Sequence, residues 1–123
     1  MLRFRFRVGL TALVAGVALA GVGCGSSSPA APTSAADVTI SMVGDRGAQS
    51  YAPNPTTMRV GQSVAWKNND STTHNALEDV GERFATGNIS PGATSSPRTM
   101  SAAGTFNYHC SIHPGMIGTL VVQ

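Results

Sequence analysis

Residues 104–122 read Gly104-Thr-Phe-Asn-Tyr-His-Cys110-Ser-Ile-His113-Pro-Gly-Met116-Ile-Gly118-Thr-Leu-Val-Val122, two β-forming runs joined by a short loop. In the first run successive side chains take opposite faces, so Phe106, Tyr108 and Cys110 share one side and Asn107 and His109 the other. With Phe106 taken as core, Cys110 points inward and His109 toward solvent. Pro114-Gly115 supplies turn chemistry that folds the loop back on itself before the second run, Gly118 to Val122.

The same texture extends upstream. From Asp37 onward there is no sustained helical periodicity, only short β-type runs separated by Gly, Pro, Asn and Asp. Strands are expected over Val38–Val43, over Met58–Val60 and Ser63–Lys67 on either side of Gly61-Gln62, and over Thr73–Leu77. Another is expected over Thr94–Met100, after the turn Ser90-Pro91-Gly92. Val64 and Trp66 then share one face, and Met42, Met58 and Met100 read as sheet or core residues. Glu78–Ile89 is broken by Gly81 and Gly87 and reads as irregular, with at most a short helix. Seven to eight short strands predict an all-β, Greek-key β-sandwich.

The N-terminal part has a different character. Met1–Arg7 is basic and Val8–Val22 is an apolar run of about fifteen residues, short for a membrane span, which together give the layout of a secretory signal over residues 1–23. The arginines are never adjacent, so a twin-arginine signature is missing. Leu19-Ala-Gly-Val-Gly-Cys24-Gly-Ser-Ser-Ser resembles a bacterial lipoprotein signal, which implies a lipid on Cys24; cleavage at Ala18-Leu19-Ala20 would instead leave Cys24 a free thiol. Residues 24–36 then form the lipidated cysteine and a Ser/Pro/Ala-rich linker, and residues 37–123 form the folded domain.

Charge excludes one broad class of function. After residue 23 there are five basic residues (Arg46, Arg59, Lys67, Arg83, Arg98) against six acidic ones (Asp37, Asp45, Asp70, Glu78, Asp79, Glu82), a net charge of −1. A near-neutral domain without a basic cluster has no electrostatic footprint for nucleic acid.

Within seven residues Cys110, His113 and Met116 bring together a thiol, an imidazole and a thioether, with His74 available upstream. Two imidazoles and a thiolate in a plane with a weak axial thioether suit an ion cycling between Cu(I) and Cu(II). Zinc is the competing metal, but its structural sites favour several thiolates and a thioether is a poor zinc ligand.

The Cys-x-x-His-x-x-Met run with its closing Gly118-Thr-Leu-Val-Val, together with Tyr51-Ala-Pro-Asn-Pro, Val60-Gly61, Val64-Ala-Trp66-Lys-Asn68, His74-Asn75 and Ser90-Pro91-Gly92, resembles the cupredoxins. The spacing is most similar to amicyanin and, more loosely, plastocyanin. The resemblance implies one type 1 copper ion held by His74, Cys110, His113 and Met116, and one-electron transfer without enzymatic activity. It also implies that Asn75 bridges to the loop near Ser111. Where the family places a proline before the second His ligand this chain has Ile112, whose free N–H is expected to make a second hydrogen bond to the thiolate. Multicopper oxidases and copper nitrite reductases need more ligands than three histidines in the whole chain provide.

The expected protein is a monomeric electron carrier of the cell envelope. Redox partners would dock at the His113 end, and Cys24 would anchor it to the outer face of the cytoplasmic membrane, on the periplasmic or cell-wall side. The alternative is an extracytoplasmic copper-binding or copper-delivery protein using the same site, although the chain has no His-rich or Met-rich tract outside the loop.

Overall fold

The computed structural model describes residues 34–123, and the readings that fall on the signal segment, Cys24 and the first part of the linker lie outside them. Eight strands occur among the described residues: β1 Val38–Met42, β2 Tyr51–Ala52, β3 Thr56–Met58, β4 Ser63–Asn68, β5 Leu77–Glu78, β6 Arg98–Thr99, β7 Gly104–His109 and β8 Ile117–Val122. They form two four-stranded sheets, in the orders β2-β1-β4-β6 and β3-β8-β7-β5. This is the all-β sandwich expected from the spacing of turn residues.

Each sheet contains a parallel pair. β1 runs parallel to β4, with Val38 opposite Val64 and Met42 opposite Asn68, and β3 runs parallel to β8, with Thr56 opposite Leu120. The runs either side of Gly61-Gln62 therefore do not form a hairpin: they go to different sheets, and Met100 closes over the turn through Gly61 N–H→Met100 O at 2.8 Å. β7 and β8 are antiparallel, from Gly104 opposite Val122 to His109 opposite Ile117.

The core follows the predicted alternation. Val64, Trp66, Tyr108 and Cys110 are fully buried and Phe106 nearly so, with Met42, Met58 and Met100 beside them. Tyr108 lies at the centre of an aromatic group. Its ring centroid is 4.8 Å from that of Tyr51 and 5.7 Å from those of Trp66 and Phe84, all edge-on, an arrangement aromatic quadrupoles favour. Opposite Tyr108 across the sheet is Gly118, where only a hydrogen atom fits beneath the ring.

Two strand predictions were too long. Thr73–Leu77 contributes only an isolated bridge at His74 and the start of β5, and Thr94–Met100 only β6 and a bridge at Thr94. Side chains take over backbone partners in both places: Thr86 Oγ1 accepts from Ala76 N–H, and Ser95 Oγ accepts from Trp66 N–H. Residues 78–89 form no helix. They are held by buried Phe84 and Ile89, by Leu77↔Ala85 and His74↔Ile89 bridges, and by Glu78, which is 5% exposed and accepts the Arg83 N–H at 3.0 Å.

Candidate metal centre

The ligand-type residues are placed by the ends of strands. Cys110 directly follows β7, Met116 directly precedes β8, and His113 sits midway along the loop between them. Two backbone bonds fold this loop: Cys110 N–H→Met116 O at 3.0 Å and Met116 N–H→His113 O at 2.9 Å. His74 arrives from the opposite side, between β4 and β5, pinned by reciprocal backbone bonds with Ile89 at 3.2 and 2.7 Å. Buried Asn68 braces that stretch by donating its side-chain amide to the carbonyls of Thr72 and Ile89.

The topology thus converges three donors. One ligand atom each from His74, Cys110 and His113 lies within 4.8 Å of the others. His74 Nδ1 and His113 Nδ1 face each other at 3.1 Å, and Cys110 Sγ is 3.9 Å from His113 Nδ1. Met116 is fully buried in the same loop; His74 and Cys110 are buried, and His113 alone is partly exposed. Two imidazole nitrogens aimed at each other at this distance need a proton or a cation between them. With a cysteine sulfur alongside and a thioether in the loop, the donor set is soft and suits copper.

Asn75 ties the two ligand-bearing segments together. Its side-chain amide donates to Ser111 Oγ at 2.8 Å and to Asn88 Oδ1 at 3.1 Å, while its Oδ1 accepts the Ser111 N–H at 2.8 Å. Its backbone N–H points to Cys110 Sγ at 3.4 Å, and its carbonyl accepts the buried Tyr51 hydroxyl at 2.6 Å. The expected bridge from Asn75 to Ser111 is therefore present. The expected bond from Ile112 N–H to the thiolate is not: among the described hydrogen bonds Asn75 N–H is the backbone donor to Sγ, and Ile112 turns outward, 45% exposed. The reason is the loop's own closure through Met116 and His113, which does not turn the Ile112 amide onto the sulfur.

Three neighbours were not foreseen. Tyr51 and Asn88 brace Asn75 from elements too distant in sequence to be connected by inspection. Asp70, which entered above only in the charge count, has its Oδ2 2.8 Å from His74 Nε2; an acid four residues before a candidate ligand is the available signal. This bond, followed by one from the Ser71 N–H and by the Arg46 charge, holds the Asp70 carboxyl below the usual carboxylate range. His109 faces outward as expected and pairs with Asp79 at 2.6 Å. Burial pushes the phenols of Tyr51 and Tyr108 well above their ordinary pKa.

Surface hollows of about 350 Å³, lined by Arg83, Arg98 and Phe106 among others, and about 370 Å³, lined by Asn54, Asp79 and Ile117 among others, contain none of the four ligand-type residues. What approaches the site does so over the loop carrying His113. Around it stand Ile112 and Ile117, 45% and 49% exposed, with exposed Pro114 and Gly115.

Comparison with known proteins agrees with this geometry. The family model for copper-binding proteins of the plastocyanin/azurin family matches residues 38–123. A plastocyanin of Scenedesmus fuscus is 33% identical over 99 residues, 71% of this chain and all of that protein. The amicyanin of Paracoccus denitrificans is 33% identical over 101 residues, covering 80% of this chain and 76% of its own. Among solved structures, a purple cupredoxin from Nitrosopumilus maritimus superposes with a TM-score of 0.63 at 26% identity, covering 71% of this chain and 100% of that one.

Proposed function

From the premise that this chain belongs to the plastocyanin/azurin family of copper-binding proteins, we propose that it is a one-electron carrier of the cell envelope rather than an enzyme. The observation that carries this reading is the convergence of His74 Nδ1, Cys110 Sγ and His113 Nδ1 within 4.8 Å, with Met116 buried in the same loop. A single copper ion supplies the Cu(II)/Cu(I) couple.

The residues of the chain set the conditions for that couple. Cys110 offers the thiolate, steadied by the Asn75 N–H; His74 and His113 offer Nδ1; Met116 offers a weak thioether. Because three of these four are buried and the loops bearing them are cross-braced through Asn75, the donor positions need change little between oxidation states. His113 reaches the surface amid apolar Ile112, Pro114 and Ile117, which is where a redox partner would dock.

With a net charge of −1 after residue 23, long-range steering is weak and association should depend only modestly on ionic strength. The one acidic stretch in the sequence is less of a patch than it reads, since Glu78 is buried and Asp79 is paired with His109. Lipidation at Cys24 would tether the carrier to the outer face of the membrane; intact-mass measurement of the membrane-extracted protein tests this, an unmodified cysteine arguing against it. Burial of three of the four donors, with no accessory Met or His cluster among the described residues, supports carriage of electrons over delivery of copper.

The test is a visible spectrum and voltammogram of copper-loaded protein. An intense thiolate-to-copper charge-transfer band and a reversible one-electron wave are expected, with the band abolished in Cys110→Ser. A colourless copper-replete protein would overturn the reading.

A further inference from the structure

His74 is 1% exposed, and both of its ring nitrogens are accounted for: Nδ1 faces His113 and Nε2 faces Asp70 Oδ2 at 2.8 Å. An ionised carboxylate can only accept, so the hydrogen between Nε2 and Oδ2 belongs to the imidazole. That leaves Nδ1 as the bare lone pair aimed into the site. The ring's tautomer and its orientation are fixed by one contact.

Asp70 is itself held through its backbone. Its N–H donates to Asn68 Oδ1 at 2.9 Å, which fixes the turn between β4 and His74 to the buried Asn68. Across from it is Gly44, in the loop after β1, buried and at φ +104°; a Cβ built there would lie 3.5 Å from Asp70 Oδ2, at van der Waals distance, so the carboxylate lies close to this loop without touching its backbone. The same loop continues to Asp45, whose Oδ1 would be 3.2 Å from a Cβ on Gly115. A single segment, Gly44-Asp45, therefore lies beside both Asp70 and Gly115.

We propose that Asp70 is a positioning residue for the metal centre: it holds His74 in the tautomer that presents Nδ1, and by drawing on the Nε2–H it strengthens His74 as a donor, biasing the site toward the oxidised ion. This rests on the copper reading given above. The chemistry is that of a carboxylate behind a metal-bound imidazole, where loss of the outer partner changes metal affinity by about 10- to 100-fold. A stronger, more anionic donor favours the higher charge, so removing Asp70 should favour Cu(I) and raise the potential. Asp45 provides the control, because it places a carboxylate at the same end of the sandwich without bonding a ligand-type residue.

The experiment has two arms, both on the full chain. In metal-free protein, long-range ¹⁵N–¹H correlation spectra of the histidine rings should show His74 with its hydrogen on Nε2, and a mixture of tautomers or free ring motion in Asp70→Ala. In copper-loaded protein, voltammetry of Asp70→Asn and Asp70→Ala should show the ratio of Cu(II) to Cu(I) affinity falling by about tenfold, a rise of about 59 mV for a one-electron couple, with a clearly smaller rise in Asp45→Asn. His74 carrying its hydrogen on Nδ1 in the metal-free protein would overturn the inference. So would potentials in the Asp70 variants no higher than in Asp45→Asn, since mere loss of a negative charge would then explain them. If the wild type shows no thiolate-to-copper band, the copper reading fails instead, and the metal-free spectra still decide whether Asp70 sets the His74 tautomer.

Discussion

Replacing Gly118 with alanine tests how tightly the strands beneath the metal loop are packed. Gly118 lies directly across the sheet from Tyr108, two residues after Met116, as Tyr108 lies two before Cys110. A Cβ at position 118 would stand 2.5 Å from Tyr108 Oη, 2.6 Å from Cε2 and closer still to Cζ. Carbon atoms in contact prefer about 3.5–4.0 Å, so the ring would have to retreat by roughly 1 Å. It has nowhere to go, since Tyr51, Trp66 and Phe84 surround it. Overpacking of this kind costs about 1–3 kcal/mol, and the blocked retreat puts Gly118→Ala at the upper end. About 3 kcal/mol corresponds to a fall in Tm of about 12 to 24 °C for a domain of this size. Urea unfolding of the metal-free chain, followed by the fluorescence of its single tryptophan, Trp66, measures this. Tyr108→Leu removes the clashing atoms, so Gly118→Ala in that background should cost less than about 1 kcal/mol, the signature of direct coupling. A loss within about 1 kcal/mol of wild type, or an equal loss in the leucine background, would refute the argument.

Further expectations concern pH and the loop. Tyr51 and Tyr108 ionise far less readily when folded than when unfolded, so above pH about 10 the unfolded chain loses protons that the folded one keeps, and stability must fall as pH rises. Each phenol contributes up to about 1.4 kcal/mol per pH unit once the unfolded phenol is fully ionised and about 1 kcal/mol between pH 10 and 11, and chemical denaturation across that interval should show a loss smaller by about 1 kcal/mol in Tyr108→Phe. The same variant removes a buried hydroxyl that makes no well-formed hydrogen bond among the described residues, the Trp66 indole being at most a weak partner, so at neutral pH it should be no less stable than wild type. Asn75→Ala loses the side-chain bonds to Ser111 and Asn88; because Ser111 is exposed and can turn to water, the cost should be only about 1–2 kcal/mol, while copper release to a chelator should quicken by about tenfold or more. Ile112→Pro should leave the potential within about 20 mV of wild type, since the Ile112 amide bonds no sulfur; a fall larger than that would restore the thiolate bond the structure does not show.

The sequence was most legible where geometry is local. Phe106, Tyr108 and Cys110 share a buried face because strand parity is a property of adjacent residues, and Cys110, His113 and Met116 are gathered by a loop that can be read in one glance. Where partners come from elsewhere it was less so. Thr73–Leu77 and Thr94–Met100 have β-forming composition, yet Thr86 and Ser95 side chains intercept their backbone partners. β2 is two residues long between Ser50 and Pro53, too short to leave a period. Asp70 sits among Asn and Asp residues that any turn would accept, so nothing in the sequence marks out the one whose carboxylate meets His74. The Ile112 amide was misjudged because composition shows that an N–H exists but not where the backbone aims it.

The parallel pairing of β1 with β4 and of β3 with β8 governs the order in which the folding chain gains its parts. Parallel neighbours cannot zip up from a tight turn, and joining Thr56 to Leu120 means closing a loop over most of the domain, a slow step. β8 follows Met116, so the second sheet cannot close until the segment after the metal loop has docked. Until then Cys110, His113 and Met116 form an accessible thiol-bearing tail, remote from His74. Copper arriving at that stage would meet three donors in a mobile segment, where Cu(I) binds readily and oxidation of the thiol is unguarded. Loading after the sheets close, when Cys110 is fully buried, protects the sulfur and supplies the fourth donor.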